Sequence, residues 1–553
     1  MCGIAGFINN EPREHSEARI EKMLESIAHR GPDQNEFGIF NNVTLGMNRL
    51  SIVCAKEDSI PYTDVSGRYS VVYNGEIYNH DDIRRTLKYR FTTPSDAETV
   101  LANFIEKGVA SFNDYNGMYA FALYDSYEDK LYLVRDKVGE KPLYYTHKGK
   151  MFLFASEIKT LLLEVDANYF DALSYKAYEF VVGEETLFEG IESILPGEYL
   201  IVNSGKVYKH VYWKIWDNIE PLEDNENKIL SNLAELLEDS ILLRTKNCAH
   251  EYGAFVSGGI DSSLVACIAK PDFLLTAHYD YSDFDELDYA KLVANQLGKE
   301  LCIVTPTKED FLRTQDEIAY HLDTPCTWTS FTLYRLMEEA KSNGMKVMMT
   351  GDGADEVFGG YHRYHLLHHD EQIHKLEAMQ QYSFMINKYY GSTAERYSKL
   401  VNRYENIYDE NVQRYVLSQT EKYIGHSAND IVHGMGMHDF YTTMQVLLQM
   451  SDRMSMAFAI ENRAPFLDHR LIEFAFSMPS KYKINNGITK WALKEVARKF
   501  IPKEIVDRID KRGFSAPVNK WFEWDKQGKY NRNGYKQLAF EDWKRQFNPQ
   551  GLV

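Results

Sequence analysis

The chain has 553 residues, 44% hydrophobic and 26% charged, with a formal net charge of −19. The length exceeds one ordinary hydrophobic core, so two or more domains are expected, and the acid excess excludes phosphate-backbone binding as the main activity, since no surplus of lysine and arginine exists to displace counterions. No apolar run approaches the roughly 18 residues of a membrane span, no secretory leader opens the chain, and the six cysteines (2, 54, 248, 267, 302 and 326) show no CxxC pair or zinc spacing, so a cytoplasmic protein with free thiols is expected, without nucleic acid or membrane as partner.

Residues 1 to about 210 read as strand-rich. FGIF, TLGMNRLSIV, YSVVYNG, MYAFALYD, KLYLVRD, PLYYTH and MFLFAS are short β-prone runs between Gly, Asn and Asp turns, interrupted by two helical patterns, ARIEKMLESIAHR and DAETVLANFIEKG. This grouping predicts helices layered on sheets rather than a strict βαβ alternation. PLEDNENK, near 220, is an acidic linker, after which Ile229, Leu233, Leu236 and Leu237 mark an amphipathic helix. Strand and helix then alternate through GAFV, SGGIDSS, SLVACIAK, LLTAHYDY, LDYAKLVANQLG, ELCIVT and KVMMT, which predicts a parallel sheet with helices on its faces. From about 365 to 500 the chain reads as mostly helical and rich in Met and Tyr.

Two loops carry the chemistry of the second half. SGGIDSS (257–263) follows a strand and opens a helix; its glycines let backbone N–H groups approach an anion, and an acid inside such a loop makes sense if magnesium bridges it to phosphates. It is neither a Walker A loop nor a Rossmann fingerprint. GDGADEVFGGY (351–361) also follows a strand, so both loops are expected at the carboxyl edge of one parallel sheet, where Asp355 can share a metal with Asp261.

These loops, with SMAFAIENRAPFLD (455–468), ITKWALKEVARKFIP and KRGFSAPVNKWF, resemble the synthetase domain of the asparagine synthetase family. MCGIAGF, HRGPD, RLSIV, YNGEIYNH, SDAE, GMYAFALYD and RDKVGEKPLYY resemble its class II glutamine amidotransferase domain. The resemblance implies an αββα Ntn-hydrolase sandwich over 2–210, an α/β ATP-pyrophosphatase domain with a parallel sheet and a helical extension over 225–525, and a tail over 526–553. The implied reaction takes ammonia from glutamine, adenylates a small-molecule carboxylate with ATP and Mg²⁺, and forms an amide; a homodimer is common in such a family.

After removal of Met1, Cys2 carries both a thiol and an α-amine that titrates near ~8, able to act as its base. The resemblance assigns Cys2 as nucleophile, Asn74 and Gly75 as oxyanion donors, and Arg49, Leu50, Ser51, Ile52, Val53, Glu76 and Asp96 to glutamine, with Arg49 on the α-carboxylate and Asp96 on the α-ammonium. It assigns Val256, Ser257, Gly258, Gly259, Asp261, Ser262, Tyr279, Thr350 and Gly351 to ATP, Asp261 and Asp355 to magnesium, Lys490 to charge developing at the α-phosphate, and Asp352 to the catalytic group; Arg463 and Asp468 read as structural or as supports standing behind the site residues. Asp352 stands where asparagine synthetases often carry Glu, and HLDTPCTWTS is not distinctive of aspartate. Two acceptors therefore follow: aspartate first, and a sugar acid such as a uronate second. A non-catalytic sensor would have lost Cys2 or Lys490, and both are present.

Overall fold

A computed structural model describes residues 1–9, 11–52, 60–149, 151–246, 248, 250–281, 286–325, 327–374, 391–404, 406, 408–427, 430–508, 516–523 and 532–548. In the amino-terminal part the strands are β1 (Cys2–Ile8), β2 (Gln34–Phe40), β3 (Val43–Arg49), β4 (Tyr62–Thr63), β5 (Tyr69–Ile77), β6 (Gly117–Asp125), β7 (Lys130–Arg135), β8 (Tyr144–Lys148), β9 (Met151–Ala155), β10 (Ile191–Ser193), β11 (Glu198–Asn203) and β12 (Lys206–Val211). They form two antiparallel sheets, ordered β10-β8-β9-β1-β3-β2 and β12-β11-β7-β6-β5-β4. Ile4, Leu45, Tyr73, Phe121 and Phe154 belong to one buried apolar cluster that both sheets share.

Each sheet needs a cover on its other face. Helix Arg13–Ser26 packs on β1 and β3 through Ile20, Met23 and Leu24, and helix Asp96–Lys107 packs on β5 with Val100, Leu101 and Phe104 buried. The result is the αββα layering the sequence predicts. Because the central strands are covered on both faces, β1, β3 and β6 bury almost every residue and lose the two-residue alternation of a half-exposed strand.

The carboxyl-terminal part contains five parallel strands, β13 (Tyr252–Phe255), β14 (Phe273–Ala277), β15 (Leu301–Val304), β16 (Val347–Met349) and β17 (Glu461–Arg463), ordered β15-β14-β13-β16-β17. The helix leading into this part, Glu226–Leu243, buries Ile229, Leu233, Leu237 and Ile241, a stripe of every fourth residue from which Leu236 is displaced to a half-buried position. Helix Ile260–Ala269 is buried at every position. The chain leaves β13 toward β14 on one side while β16 lies on its other side, so the β13 and β16 ends flank a topological switch point, the crevice where open α/β sheets bind ligands.

The stretch from 365 to 500 is mostly helical where described, and two strand features interrupt it. One is β17, whose three polar residues ENR carry no strand pattern; the other is the hairpin of β18 (Ile484–Asn485) and β19 (Ile488–Thr489). No helix among the described residues is long and apolar enough to cross a membrane.

Candidate functional site

Strand pairing builds the first site. In the β1–β3 ladder Cys2 stands directly opposite Arg49, so the thiol and the guanidinium share one sheet edge. Strand β5, from the facing sheet, supplies Asn74, Gly75 and Glu76. The Cys2 amide N–H donates to Asn74 Oδ1 at 2.9 Å. Asn74 Nδ2 is buried with no hydrogen-bond partner among the described residues, the condition of a donor waiting for an oxygen. Asp96 begins its helix and accepts from the Tyr73 hydroxyl (2.7 Å) and the Ile77 amide (3.0 Å), which ties it to the same strand.

Cys2, Arg49, Leu50, Ile52, Gly75, Glu76 and Asp96 line one cavity. Ser51 is not part of that lining: its amide donates to Asp33 Oδ2 (2.9 Å), and its carbonyl accepts from Lys346. Val53 lies outside the described residues. Met1 is buried in the same cavity, its α-ammonium 3.1 Å from Glu461 Oε2. Burial pushes the Cys2 thiol up against the pull of that ammonium, the Leu50 amide and Arg49, so the resting group is a thiol that needs a base. Burial and the Asp96 charge together hold the Glu76 carboxyl well above the usual carboxylate range.

The second site sits at the predicted sheet edge. Ser257, Asp261, Ser262, Thr350, Gly351, Asp352 and Asp355 line a cavity of about 350 Å³ with Glu356 and Tyr361. A neighbouring cavity of about 250 Å³ is lined by Gly259, Lys490, Lys494, Arg508, His362 and His365. Gly258 is braced by Arg508, which donates to its carbonyl at 2.9 Å. Val256 and Tyr279 are core residues outside both linings; the Tyr279 hydroxyl shares a 2.7 Å hydrogen bond with Thr332.

Lys490 stands between the two cavities. Its Nζ lies 2.7 Å from both Asp261 oxygens and 2.6 Å from Asp355 Oδ1. The Lys490 backbone is left-handed (φ 53°), a conformation rare for a long side chain, and this turns it into the carboxylate pair at the start of helix Trp491–Ala497. The pair holds a cation between hard carboxylate oxygens, the donor type magnesium takes together with phosphate oxygens. Magnesium bound there would offset charge on the phosphates. Asp352 accepts from Ser451 Oγ at 3.2 Å, and burial raises its carboxyl. Burial, then the Asp355 charge, pushes Glu356 to about 7 while the Tyr361 hydroxyl donates to it.

Sequence reasoning missed what joins the two sites. Strand β17 is the wall between them. Successive side chains of a strand face opposite ways. Glu461 reaches the Cys2 cavity, Arg463 lies 3.9 Å from Glu76, and Asn462 between them donates to Ser451, the partner of Asp352. Arg463 does more than brace the fold in a general way: it clamps Glu461 at 2.6 Å and keeps it below the usual carboxylate range despite burial. Asp468 accepts from Asn116 of the first half at 3.0 Å.

A buried ionic network continues the junction. Arg30 donates to the Cys2 carbonyl (3.0 Å), Glu157 (2.8 Å) and Asp452 (2.9 and 3.1 Å). Arg453 pairs with Glu157 (2.8 Å) and Asp323 (3.1 Å), and Asp323 with Lys159 (2.9 Å). HRGPD and DRM held the signal for Arg30, Asp452 and Arg453; Glu157 and Asp323 had none.

The asparagine synthase family matches residues 232–545, and the glutamine amidotransferase domain family matches residues 1–213. Glutamine-hydrolyzing asparagine synthetase 1 of Bacillus subtilis (strain 168) is 30% identical, over 95% of this chain and 88% of that protein. Glutamine-hydrolyzing asparagine synthetase 3 of the same organism is 27% identical over 92% of this chain and 86% of that protein, and Amidase chry2 of Gibberella zeae is 26% identical over 98% and 93%. The likeness spans both sites and the strand between them, and the chain belongs to the asparagine synthase family of glutamine-dependent, amide-forming ligases.

Proposed function

We propose that this chain converts aspartate to asparagine, using glutamine as nitrogen donor and ATP to activate the acceptor. Removal of Met1 would free the Cys2 α-amine to take the thiol proton, and would clear the space that Met1 fills beside Glu461. The thiolate then attacks the glutamine carboxamide, with Asn74 Nδ2 and the Gly75 amide receiving the oxyanion. Arg49 and Asp96 hold the two charged ends of glutamine, and Glu76 closes the pocket.

In the second site the loop Ser257–Ser262 holds the leaving pyrophosphate, Lys490 offsets charge between α-phosphate and attacking carboxylate, and Asp261 with Asp355 would hold magnesium. Thr350 and Gly351 flank the nucleotide. Asp352 takes a proton from the incoming ammonia. The observation that carries this reading is Lys490 set between Asp261 and Asp355 beside a cavity whose lining residue Ser451 is held by β17, the strand that also sends Glu461 into the Cys2 cavity. Aspartate is favoured as acceptor because its α-ammonium matches the carboxyl groups of Asp352 and Glu356 in the lining, and because two relatives of near-equal length bear the asparagine synthetase name.

The test is direct. The protein is incubated with ATP, Mg²⁺ and glutamine against a panel of carboxylates, and pyrophosphate and glutamate are followed. Aspartate should stimulate pyrophosphate release and yield asparagine. Silence with aspartate and turnover of a uronate or nucleotide-uronate would replace the first acceptor with the second.

A further inference from the structure

The carboxyl-terminal helix Arg532–Phe547 belongs to neither site, yet it is anchored on both halves of the molecule. One part of it packs on the synthetase half: Tyr535 and Ala539 are buried in a cluster with Phe311, and Tyr535 lies 6.2 Å from that ring. Another packs on the amidotransferase half. Trp543 is fully buried, 5.5 Å from the Phe188 ring and 6.1 Å from Tyr169, with Phe540 and Phe547 beside it. Ion pairs repeat the division, Lys536 to Glu179 of the first half (3.2 Å) and Arg545 to Asp316 of the second (2.9 Å).

One hydrogen bond connects this helix to the ionic network. Trp543 Nε1 donates to the Asp323 carbonyl at 3.0 Å. Asp323 ends helix Lys308–Leu322 in a left-handed conformation (φ 61°), and its carboxylate accepts from the Ile158 amide at 2.8 Å and pairs with Lys159 and Arg453. From Arg453 the chain of pairs runs through Glu157 to Arg30 and the Cys2 carbonyl.

We propose that Trp543 and Asp323 are positioning residues for ammonia transfer: the docked carboxyl-terminal helix fixes the Asp323 peptide, and with it the network that keeps the Cys2 site in register with the synthetase site. The inference rests on the proposed glutamine-dependent amidation. A group that ties two halves without touching either reactant should govern how tightly their reactions are coupled, and leave each reaction itself in place.

The experiment compares the full chain with a chain ending at Glu523, and with the gentler double variant Trp543→Phe/Arg545→Ala, which keeps an aromatic ring but removes the indole donor and the Arg545 ion pairs with Asp316 and Asp542. Three rates are measured with aspartate as acceptor: glutamate release from glutamine, pyrophosphate release driven by free ammonia, and asparagine formed per glutamate released. The first two should persist in both altered chains, and the third should fall by about 2- to 30-fold, the range typical of coupling changes along such networks. Hydrogen exchange of the Ile158 amide should quicken in parallel. If the truncated chain does not fold, the double variant carries the test alone. An unchanged ratio with a folded protein, or an unchanged Ile158 amide, overturns the proposal. Absence of asparagine in the unaltered chain would instead refute the acceptor assignment, and the ratio would then be read with the carboxylate that turns over.

Discussion

Replacing Gly360 by alanine tests the synthetase site by displacing Asp355 and Lys490 without substituting either of them. Gly360 closes the second acidic loop, its N–H donating to the Asp355 carbonyl at 2.8 Å. A Cβ placed there would lie 1.8 Å from Asp355 Oδ1 and 2.2 Å from Lys490 Cε. Ordinary contact begins near 3.4 Å, so both side chains must retreat by more than about 1 Å, and a misplacement of that size at reacting groups costs on the order of 10²-fold. Gly360→Ala should therefore lower ammonia-driven pyrophosphate release about 10²-fold while glutamate release from glutamine stays at the unaltered rate. The assay is a coupled pyrophosphate measurement with saturating ATP, Mg²⁺ and aspartate, beside a glutaminase assay on the same preparation. Gly425→Ala serves as control, since a Cβ there meets nothing within 4 Å. Full pyrophosphate release from folded Gly360→Ala would show that the Lys490–Asp355 contact does not matter to activation.

Three further outcomes follow from the same geometry. Cys2→Ala should abolish glutamate release and leave amide formation from free ammonia, measured by asparagine appearance; retained glutaminase would remove Cys2 as nucleophile. Asn74→Ala deletes the unpartnered Nδ2 donor and should lower the glutaminase kcat by about 10²–10³-fold, or roughly 3–4 kcal/mol, with little change in ammonia-driven turnover. Glu356 supplies a pH prediction: burial and Asp355 raise it to about 7, whereas an unfolded glutamate titrates near ~4.3. The native state then binds the extra proton between those values, so this group's stabilisation is full at low pH and lost as pH rises through about 7. Denaturant unfolding from pH 5 to 8 should show Glu356→Gln removing a stability slope on the order of 3 kcal/mol in all; parallel curves for both proteins would refute it.

The parts legible in the sequence are those written in contiguous letters. MCGIAGF and RLSIV become neighbours through one antiparallel ladder, which pairs Cys2 with Arg49. SGGIDSS and GDGADE meet because both end parallel strands of one sheet. The illegible parts depend on partners far away in sequence. Arg30, Glu157, Asp323, Asp452 and Arg453 are charged letters that normally mark solvated surface, and only their mutual pairing allows them all to be buried. Strand β17 escaped notice because ENR has neither alternation nor apolar residues; it is a strand because β16 offers an open edge and because Arg463 and Glu461 neutralise each other.

That strand also bears on how ammonia would pass between the two sites on the proposed mechanism. A released ammonia that met bulk water would be protonated and lose its nucleophilic lone pair. Between the Cys2 cavity and Asp352 stand Glu461, Asn462, Ser451 and Arg463, all buried. Arg463 keeps the Glu461 carboxyl below the usual carboxylate range, so it has no proton to give, and Asn462 and Ser451 are neutral hydrogen-bonding groups. Asp352, on the far side, carries a carboxyl raised by burial, a base whose strength grows with the removal of water. On the proposed mechanism the order from one site to the other would be an ionised carboxylate, neutral polar groups and then the Asp352 carboxyl. A buried ion pair contributes little to net stability, so on the proposed mechanism the part left to Glu461 and Arg463 would be to keep a proton or a water molecule from ammonia between the sites.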